Sequence, residues 1–264
     1  MTDINLTTLN RMKADGRKIA VLTAYDASFA RVLAAAGVDV ILIGDSLGMV
    51  IQGHGSTLPV RIDDMAYHSA CVARAAAPCF IIADLPFLTY TSRVQALENA
   101  GRLLAEGGAH MVKLEGGRAQ LAVVEALAEQ GIPVCAHLGL TPQSVHRFGG
   151  YRVQGRDPAQ ADTIARDALD LQNAGAQMLV LECVPAPLAA RITASLAIPT
   201  IGIGAGVDCD GQVLVLHDML GMGGPRPRFV RDFLAGSGSI EAAVRAYVQA
   251  VRAGEFPAEE HCYA

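Results

Sequence analysis

A parallel (β/α)8 barrel of the TIM type, an α/β fold preceded by a short N-terminal helix, is what this sequence predicts. Eight short apolar runs alternate with helical patterns over 264 residues, a length that α/β barrels reach undivided. Three of the runs follow a glycine and end in an acid seven or eight residues on: Gly37 to Asp45, Gly108 to Glu115 and Gly175 to Glu182. Three others follow Pro78, Pro133 and Pro199, positions where proline removes only a terminal donor. No stretch reads as a linker, so residues 1–264 are expected to form a single barrel domain.

The elements follow in order. Residues 7–16 suggest the leading helix, stopped by Gly16. Lys18 to Tyr25 is the first strand, and Asp26 opens a helix that runs to Ala36. Val38 to Ile43 is a strand buried on both faces, ending in Gly44-Asp45-Ser46. Residues 46–61 form a connection long enough for a lid or binding loop. Asp63 or Asp64 then caps a helix to about Ala77. Residues 78–84 are the third strand. Ser92 and Gln95 have capping-box spacing ahead of a helix that ends at Gly107-Gly108. Residues 109–115, 133–137, 176–182, 199–204 and 213–217 supply the remaining strands. Asp157-Pro158 starts the helix between the fifth and sixth as an N-cap with proline at the first position. A last helix spans about Ile240 to Arg252.

Composition narrows the function. Hydrophobic residues make up 52% and charged residues 18%, which favours a large core over disorder. The formal charge of −5 and the absence of a basic run argue against nucleic acid or an anionic membrane as partner. With aromatics at 5% and no Trp, stacking platforms for bases are scarce. No apolar stretch reaches the roughly 18 residues that cross a bilayer. The polar start lacks the apolar core of a signal peptide, so a cytoplasmic location is expected. Six cysteines without a C-x-x-C pair read as reduced, small core residues.

The strand ends are Asp26, Asp45, Asp84, Glu115, His137, Glu182, Gly204 and His217-Asp218. A closed barrel brings such ends to one face. Carboxylates crowded at one mouth repel each other unless a cation joins them, and oxygen ligands suit Mg²⁺. Asp26 directly precedes a helix and reads as a cap. Asp84 is followed by Leu85-Pro86, which disfavours a helix start and favours a functional role. Lys113 lies two residues before Glu115, on the same strand face. It is suited to a substrate carboxylate, with pairing to Glu115 the structural alternative. Glu182 has apolar neighbours, the setting of a useful general base; a metal ligand or a salt bridge is the other reading. His137, beside a polar loop, suits a polar contact to substrate. Gly202-Ile203-Gly204-Ala205-Gly206 resembles a phosphate-cradling loop, and a tight turn explains it equally well.

Several runs together carry a resemblance: Leu22-Thr23-Ala24-Tyr25-Asp26, Gly44-Asp45-Ser46-Leu47-Gly48, Thr57-Leu58-Pro59-Val60 and Ala83-Asp84-Leu85-Pro86-Phe87. Val112-Lys113-Leu114-Glu115, His137-Leu138-Gly139-Leu140-Thr141-Pro142-Gln143-Ser144 and Leu181-Glu182-Cys183-Val184-Pro185 continue it. The chain resembles the ketopantoate hydroxymethyltransferase family over nearly its whole length. The resemblance implies transfer of a hydroxymethyl group from 5,10-methylenetetrahydrofolate to 3-methyl-2-oxobutanoate, giving 2-dehydropantoate for pantothenate synthesis. It implies one Mg²⁺ per subunit, with Asp45 and Asp84 as metal-binding carboxylates and Glu115 reaching the metal directly or through water. Ser46 and Lys113 match substrate-binding positions, and Glu182 matches the catalytic base. A homodecamer is also implied. Gly55 departs from the aspartate of many relatives, and Val207-Asp208-Cys209 departs as well; both are loop positions. A metal-dependent carbon–carbon lyase on the same fold is the alternative enzyme, but Glu115-Gly116-Gly117-Arg118 lacks the cysteine such lyases resemble one another in using. A non-catalytic keto-acid-binding barrel is the alternative of another class.

Overall fold

The computed structural model describes residues 3–222 and 226–264. Its strands are β1 (Ile19–Thr23), β2 (Val40–Ile43), β3 (Phe80–Asp84), β4 (Met111–Glu115), β5 (Val134–Gly139), β6 (Met178–Glu182), β7 (Thr200–Ile203) and β8 (Gly211–Leu214). Neighbours pair in parallel, and β8 returns to β1 to close the barrel. Closure leaves no free sheet edge.

The helices are α1 (Leu6–Ala14), α2 (Ala27–Ala35), α3 (Leu47–Val50), α4 (Ile62–Ala73), α5 (Arg93–Ala105), α6 (Leu121–Glu129), α7 (Val145–Phe148), α8 (Pro158–Asn173), α9 (Ala186–Ser195), α10 (Leu216–Met219) and α11 (Ile240–Ala253). Capping fixes several starts. Asp26 accepts from the Ser28 and Phe29 N–H groups, Asp157 from Gln160 and Ser239 from Ala242.

Two apolar clusters hold the layers together. The outer one lies between strands and helices, with Leu22, Ile41, Leu114 and Leu181 packed against Leu33, Leu103 and Leu171. The inner one fills the barrel with Val21, Leu42, Ile82, Met111, Met178, Ile201 and Val213. Leu9 and Met12 of α1 join it from the start of the chain, so the leading helix plugs the barrel floor. Each such fully buried side chain contributes roughly 1.5–3 kcal/mol. Tyr247 of α11 is fully buried, and its hydroxyl lies 2.9 Å from the carbonyls of both Val21 and Gln212, across the closing seam.

Four expectations change. The described residues between β7 and β8, 204–210, form no helix, so strict alternation stops there. His217 lies in α10 rather than at a strand end, because β8 stops at Leu214. The helix expected to reach Ala77 ends at Ala73, since the chain must turn before β3. Its N-cap position is Arg61, whose N–H donates to Asp64 at 2.9 Å, so Asp64 caps from inside the first turn. Finally, Ser92 accepts from the Gln95 N–H, but the Gln95 side chain accepts from Thr91, which leaves the capping box half formed.

Candidate active site

Strand parity builds the site. Alternate residues of each strand face the barrel interior. Phe80 and Ile82 fill it, and Asp84 follows at the rim. Met111 is succeeded by Lys113 and Glu115, Cys135 by His137, and Met178 and Val180 by Glu182. The same periodicity that packs the floor therefore ends in a polar layer at the carboxyl ends of β3 to β6. Asp45 comes from one residue beyond that register on β2. Its own N–H donates to Asp84 Oδ2 at 3.0 Å, which draws it into the mouth.

Register then selects the partners. Asp84 sits opposite Lys113 across β3 and β4, and Lys113 Nζ lies 2.9 Å from Asp84 Oδ1. The lysine is thus paired with Asp84 rather than with Glu115, and it is only 5% exposed. Burial opposes its charge, but the carboxylates of Asp84, Glu115 and Asp45 outweigh burial and push its pKa up. Glu115 sits opposite His137 across β4 and β5. His137 Nδ1 lies 3.5 Å from Glu115 Oε1, and its Nε2 lies 3.3 Å from Glu182 Oε2. Burial and the Lys113 ammonium favour a neutral ring, yet the two carboxylates outweigh them and raise His137 to about 9. Burial likewise opposes charge on Glu115, and there His137 and Lys113 prevail and hold it below its ordinary value.

Asp45 is the opposite case. Burial, followed by the charges of Asp84 and Glu115, pushes it well above the usual carboxylate range against the pull of Lys113 and Gln143. Glu182 is the most open of the group, with 14% of its side chain exposed, so the desolvation expected from its apolar neighbours is partial. Ser46 faces the same space, its Oγ 2.8 Å from the Tyr25 hydroxyl. A Cβ on Gly44 would stand 2.8 Å from Ser46 Oγ, so the glycine permits this approach.

These groups surround a cavity of about 390 Å³ that includes Asp45, Ser46, Asp84, Lys113, Glu115, His137 and Glu182. Every site residue expected from the sequence lies on it. Met49, Val50 and Thr57 of the long 46–61 connection line it too, and the Tyr151 hydroxyl reaches the Met49 sulfur from the 138–155 loop at 3.6 Å. Asp26 stays a helix cap. His217 turns its ring toward Tyr25 and Phe29. Gly55 is exposed with open space around it, and Asp210 beyond the other departing loop bonds Lys13 and Thr200 on the floor side.

Sequence reasoning missed Gln143. This buried amide donates to Asp45 Oδ2 at 2.8 Å and to the Leu85 carbonyl at 3.0 Å, while its N–H donates to Glu115 Oε2 at 2.9 Å. The Tyr90 hydroxyl donates to its Oε1. Its only signal was membership of the run from His137 to Ser144. Asp218, expected at the end of the last strand, lies on the cavity from α10, while Tyr151 and Phe229, also on it, gave no signal.

Asp84 Oδ1 and Glu115 Oε1 are buried without a well-formed hydrogen bond. Both face cations or a potential cation within the site, Lys113 Nζ at 2.9 Å from Asp84 Oδ1 and His137 Nδ1 at 3.5 Å from Glu115 Oε1, and retain lone pairs suited to a metal ion. Among the described residues no group of three or more His, Cys, Asp or Glu side chains is already arranged around a common metal position. The donor set fits an ion that takes one or two carboxylates and keeps open positions, which is the habit of Mg²⁺.

Comparison with known proteins assigns the chain to a family. The model of ketopantoate hydroxymethyltransferase matches residues 3–259. The chain belongs to the ketopantoate hydroxymethyltransferase family. It is 59% identical over 264 residues to 3-methyl-2-oxobutanoate hydroxymethyltransferase of Nitrosococcus oceani, covering 100% of both chains. It is 58% identical to the enzyme of that name from Halorhodospira halophila, covering 98% of this chain and 94% of the other. A ketopantoate hydroxymethyltransferase family member is a transferase, and the chain is accordingly an enzyme. Solved structures share the fold at low identity. Phosphoenolpyruvate phosphomutase from Streptomyces platensis subsp. rosaceus superposes with a TM-score of 0.62 at 15% identity, covering 82% of this chain and 83% of that one. Phosphonopyruvate hydrolase in complex with oxalate and Mg²⁺ gives 0.62 at 12%, covering 81% of each. Among the described residues no helix is long and apolar enough to cross a membrane.

Proposed function

We propose that the chain transfers a hydroxymethyl group from 5,10-methylenetetrahydrofolate to 3-methyl-2-oxobutanoate, with Glu182 as the base. The observation behind this reading is the division among the acids. Asp45, Asp84 and Glu115 are buried around Lys113, whereas Glu182 is partly open to the cavity and touches only His137 among them. Asp45 and Asp84 are the residues to hold Mg²⁺, one ion per subunit, with Glu115 reaching it directly or through water. A bound Mg²⁺ supplies Lewis-acid polarisation of the keto acid's oxygens.

The chain's own residues do the rest. Lys113 balances the negative charge that Asp84 and the substrate carboxylate bring together. Ser46 offers a hydroxyl to the keto acid at the rim. Glu182 takes the proton from C3, and His137, bridging Glu182 and Glu115, fixes the carboxylate's direction. The donor's methylene opens at one nitrogen, which takes up a proton equivalent to the one lost from C3, leaving an iminium. The enolate carbon attacks its methylene carbon, and water then replaces the remaining nitrogen, breaking that C–N bond to give the hydroxymethyl product and tetrahydrofolate. The homodecamer implied by the family resemblance belongs to the same proposal.

Deuterium washout from C3 of the keto acid, measured with Mg²⁺ and without folate, tests the base. Glu182→Gln is expected to exchange at least about 100-fold more slowly than wild type. Exchange at the wild-type rate would remove Glu182 from the role.

A further inference from the structure

A second cavity of about 400 Å³ opens beside the first, a size typical of small-ligand sites. The two share Tyr151, Glu182, Pro227 and Phe229 as a common wall. We propose that this second cavity receives the fused pterin ring of the one-carbon donor, held against Tyr263 and Phe229. The proposal rests on the two-substrate reading above.

Three observations support it. The first is connection. The carbon deprotonated by Glu182 must meet the donor's methylene, so the donor has to reach the cavity that Glu182 lines, and the second cavity adjoins it through that shared wall. From below, the barrel is filled by its inner apolar cluster. Two other hollows of similar size, around His110 and around Arg156, share no residue with the keto-acid cavity.

The second is composition. The chain has no Trp, 6 Tyr and 7 Phe, and three of these rings, Tyr151, Phe229 and Tyr263, stand around this one cavity. Planar ring systems are recognised by such faces. The scarcity of stacking surfaces inferred from composition therefore does not hold locally.

The third is that the rings are held in place. Gly204 has φ +61°, and a Cβ there would stand 3.0 Å from Phe229 Cδ1 and 3.1 Å from Tyr263 Cε2. The bare glycine at the end of β7 lets both rings lie against the barrel rim. Tyr263 is anchored on the chain side, because its carbonyl accepts the Ala186 N–H at 2.9 Å. Arg228 Nε donates to the Glu260 carbonyl at 2.9 Å, which ties down the tail that delivers Tyr263. Within the glycine-rich run 202–206, Gly204 is thus the position that serves close packing of rings.

The test is steady-state kinetics of Tyr263→Leu and Tyr263→Phe with 5,10-methylenetetrahydrofolate, together with folate-free C3 deuterium exchange. Tyr263 lies on the second cavity and not on the first. The leucine variant is expected to raise the donor KM by about tenfold or more, with keto-acid KM and exchange unchanged, and phenylalanine to restore it. An unchanged donor KM in Tyr263→Leu, with wild-type turnover intact, overturns the subsite and leaves the reaction standing. A wild-type enzyme that exchanges C3 deuterium yet forms no product from this donor overturns the reaction reading itself. Amide hydrogen exchange of the wild type with added tetrahydrofolate needs no variant. Protection around residues 226–229 and 259–263 supports the subsite, and its absence at saturating tetrahydrofolate overturns it.

Discussion

The Gln143 side-chain amide donates to Asp45 Oδ2 at 2.8 Å, across 98 residues of sequence. The same residue's N–H donates to Glu115 Oε2 at 2.9 Å, so one loop residue steadies two of the buried carboxylates. Hydrogen bonds to charged groups contribute roughly 1.5–3 kcal/mol each. Gln143→Ala is expected to lower kcat/KM for the keto acid by about tenfold to a hundredfold. Gln143→Glu should lower it further, since a third carboxylate would face Asp45 and Glu115. Initial-rate kinetics with saturating donor would reveal a neutral effect and so refute the role.

Gly44 sets the reach of Ser46. A methyl group at position 44 would sit 2.8 Å from Ser46 Oγ and 3.6 Å from Asp84 Oδ2. The hydroxyl can rotate away, at the cost of its 2.8 Å contact with Tyr25. Gly44→Ala should therefore change stability by only about 1 kcal/mol while raising the keto-acid KM several-fold. A calorimetric scan beside the kinetics separates this outcome from simple misfolding.

Lys113 is a buried charge with a buried partner. Removing one member of such a pair strands the other and destabilises by roughly 3–5 kcal/mol. Lys113→Met is expected to show that loss in urea unfolding, together with loss of turnover. Adding Asp84→Asn should recover part of the stability and none of the activity. Equal stability of the single and double variants would show that the pair is not coupled.

His110 predicts a pH dependence away from the site. The Ile81 N–H donates to its Nδ1 at 3.1 Å, which requires that nitrogen to be unprotonated. Burial lowers the His110 pKa from its ordinary value. The unfolded chain takes up a proton near the ordinary histidine pKa of about 6.5, before the folded chain does. The contribution is therefore complete above that value and is lost as pH falls through the depressed folded pKa. Its size is small because the ring is partly exposed to solvent. Urea midpoints at neutral and mildly acidic pH should fall less steeply in His110→Gln than in wild type; identical slopes would count against the assignment.

Much of the site was legible because strand periodicity is local. Asp84, Lys113, Glu115, His137 and Glu182 each stand an even number of steps from an inward apolar residue of their own strand. Glycine and proline marked where most of the strands begin. The loop residues were not legible, because no period governs residues 138–155 or 226–229. Gln143 became visible only when its partners from β2 and β4 stood around it.

The sequence by itself determined an eight-stranded α/β barrel, the acids at its mouth and the family to which the chain belongs. Side-chain alternation and turn chemistry are written along the chain and require no distant partner. Tertiary structure alone decided that Lys113 pairs with Asp84, that His137 bridges Glu115 and Glu182, and that β7 passes to β8 without a helix. It alone decided that the tail brings Tyr263 beside Phe229 over Gly204. Those facts depend on cross-strand register and on the convergence of loops far apart in sequence, both of which arise only when the barrel closes.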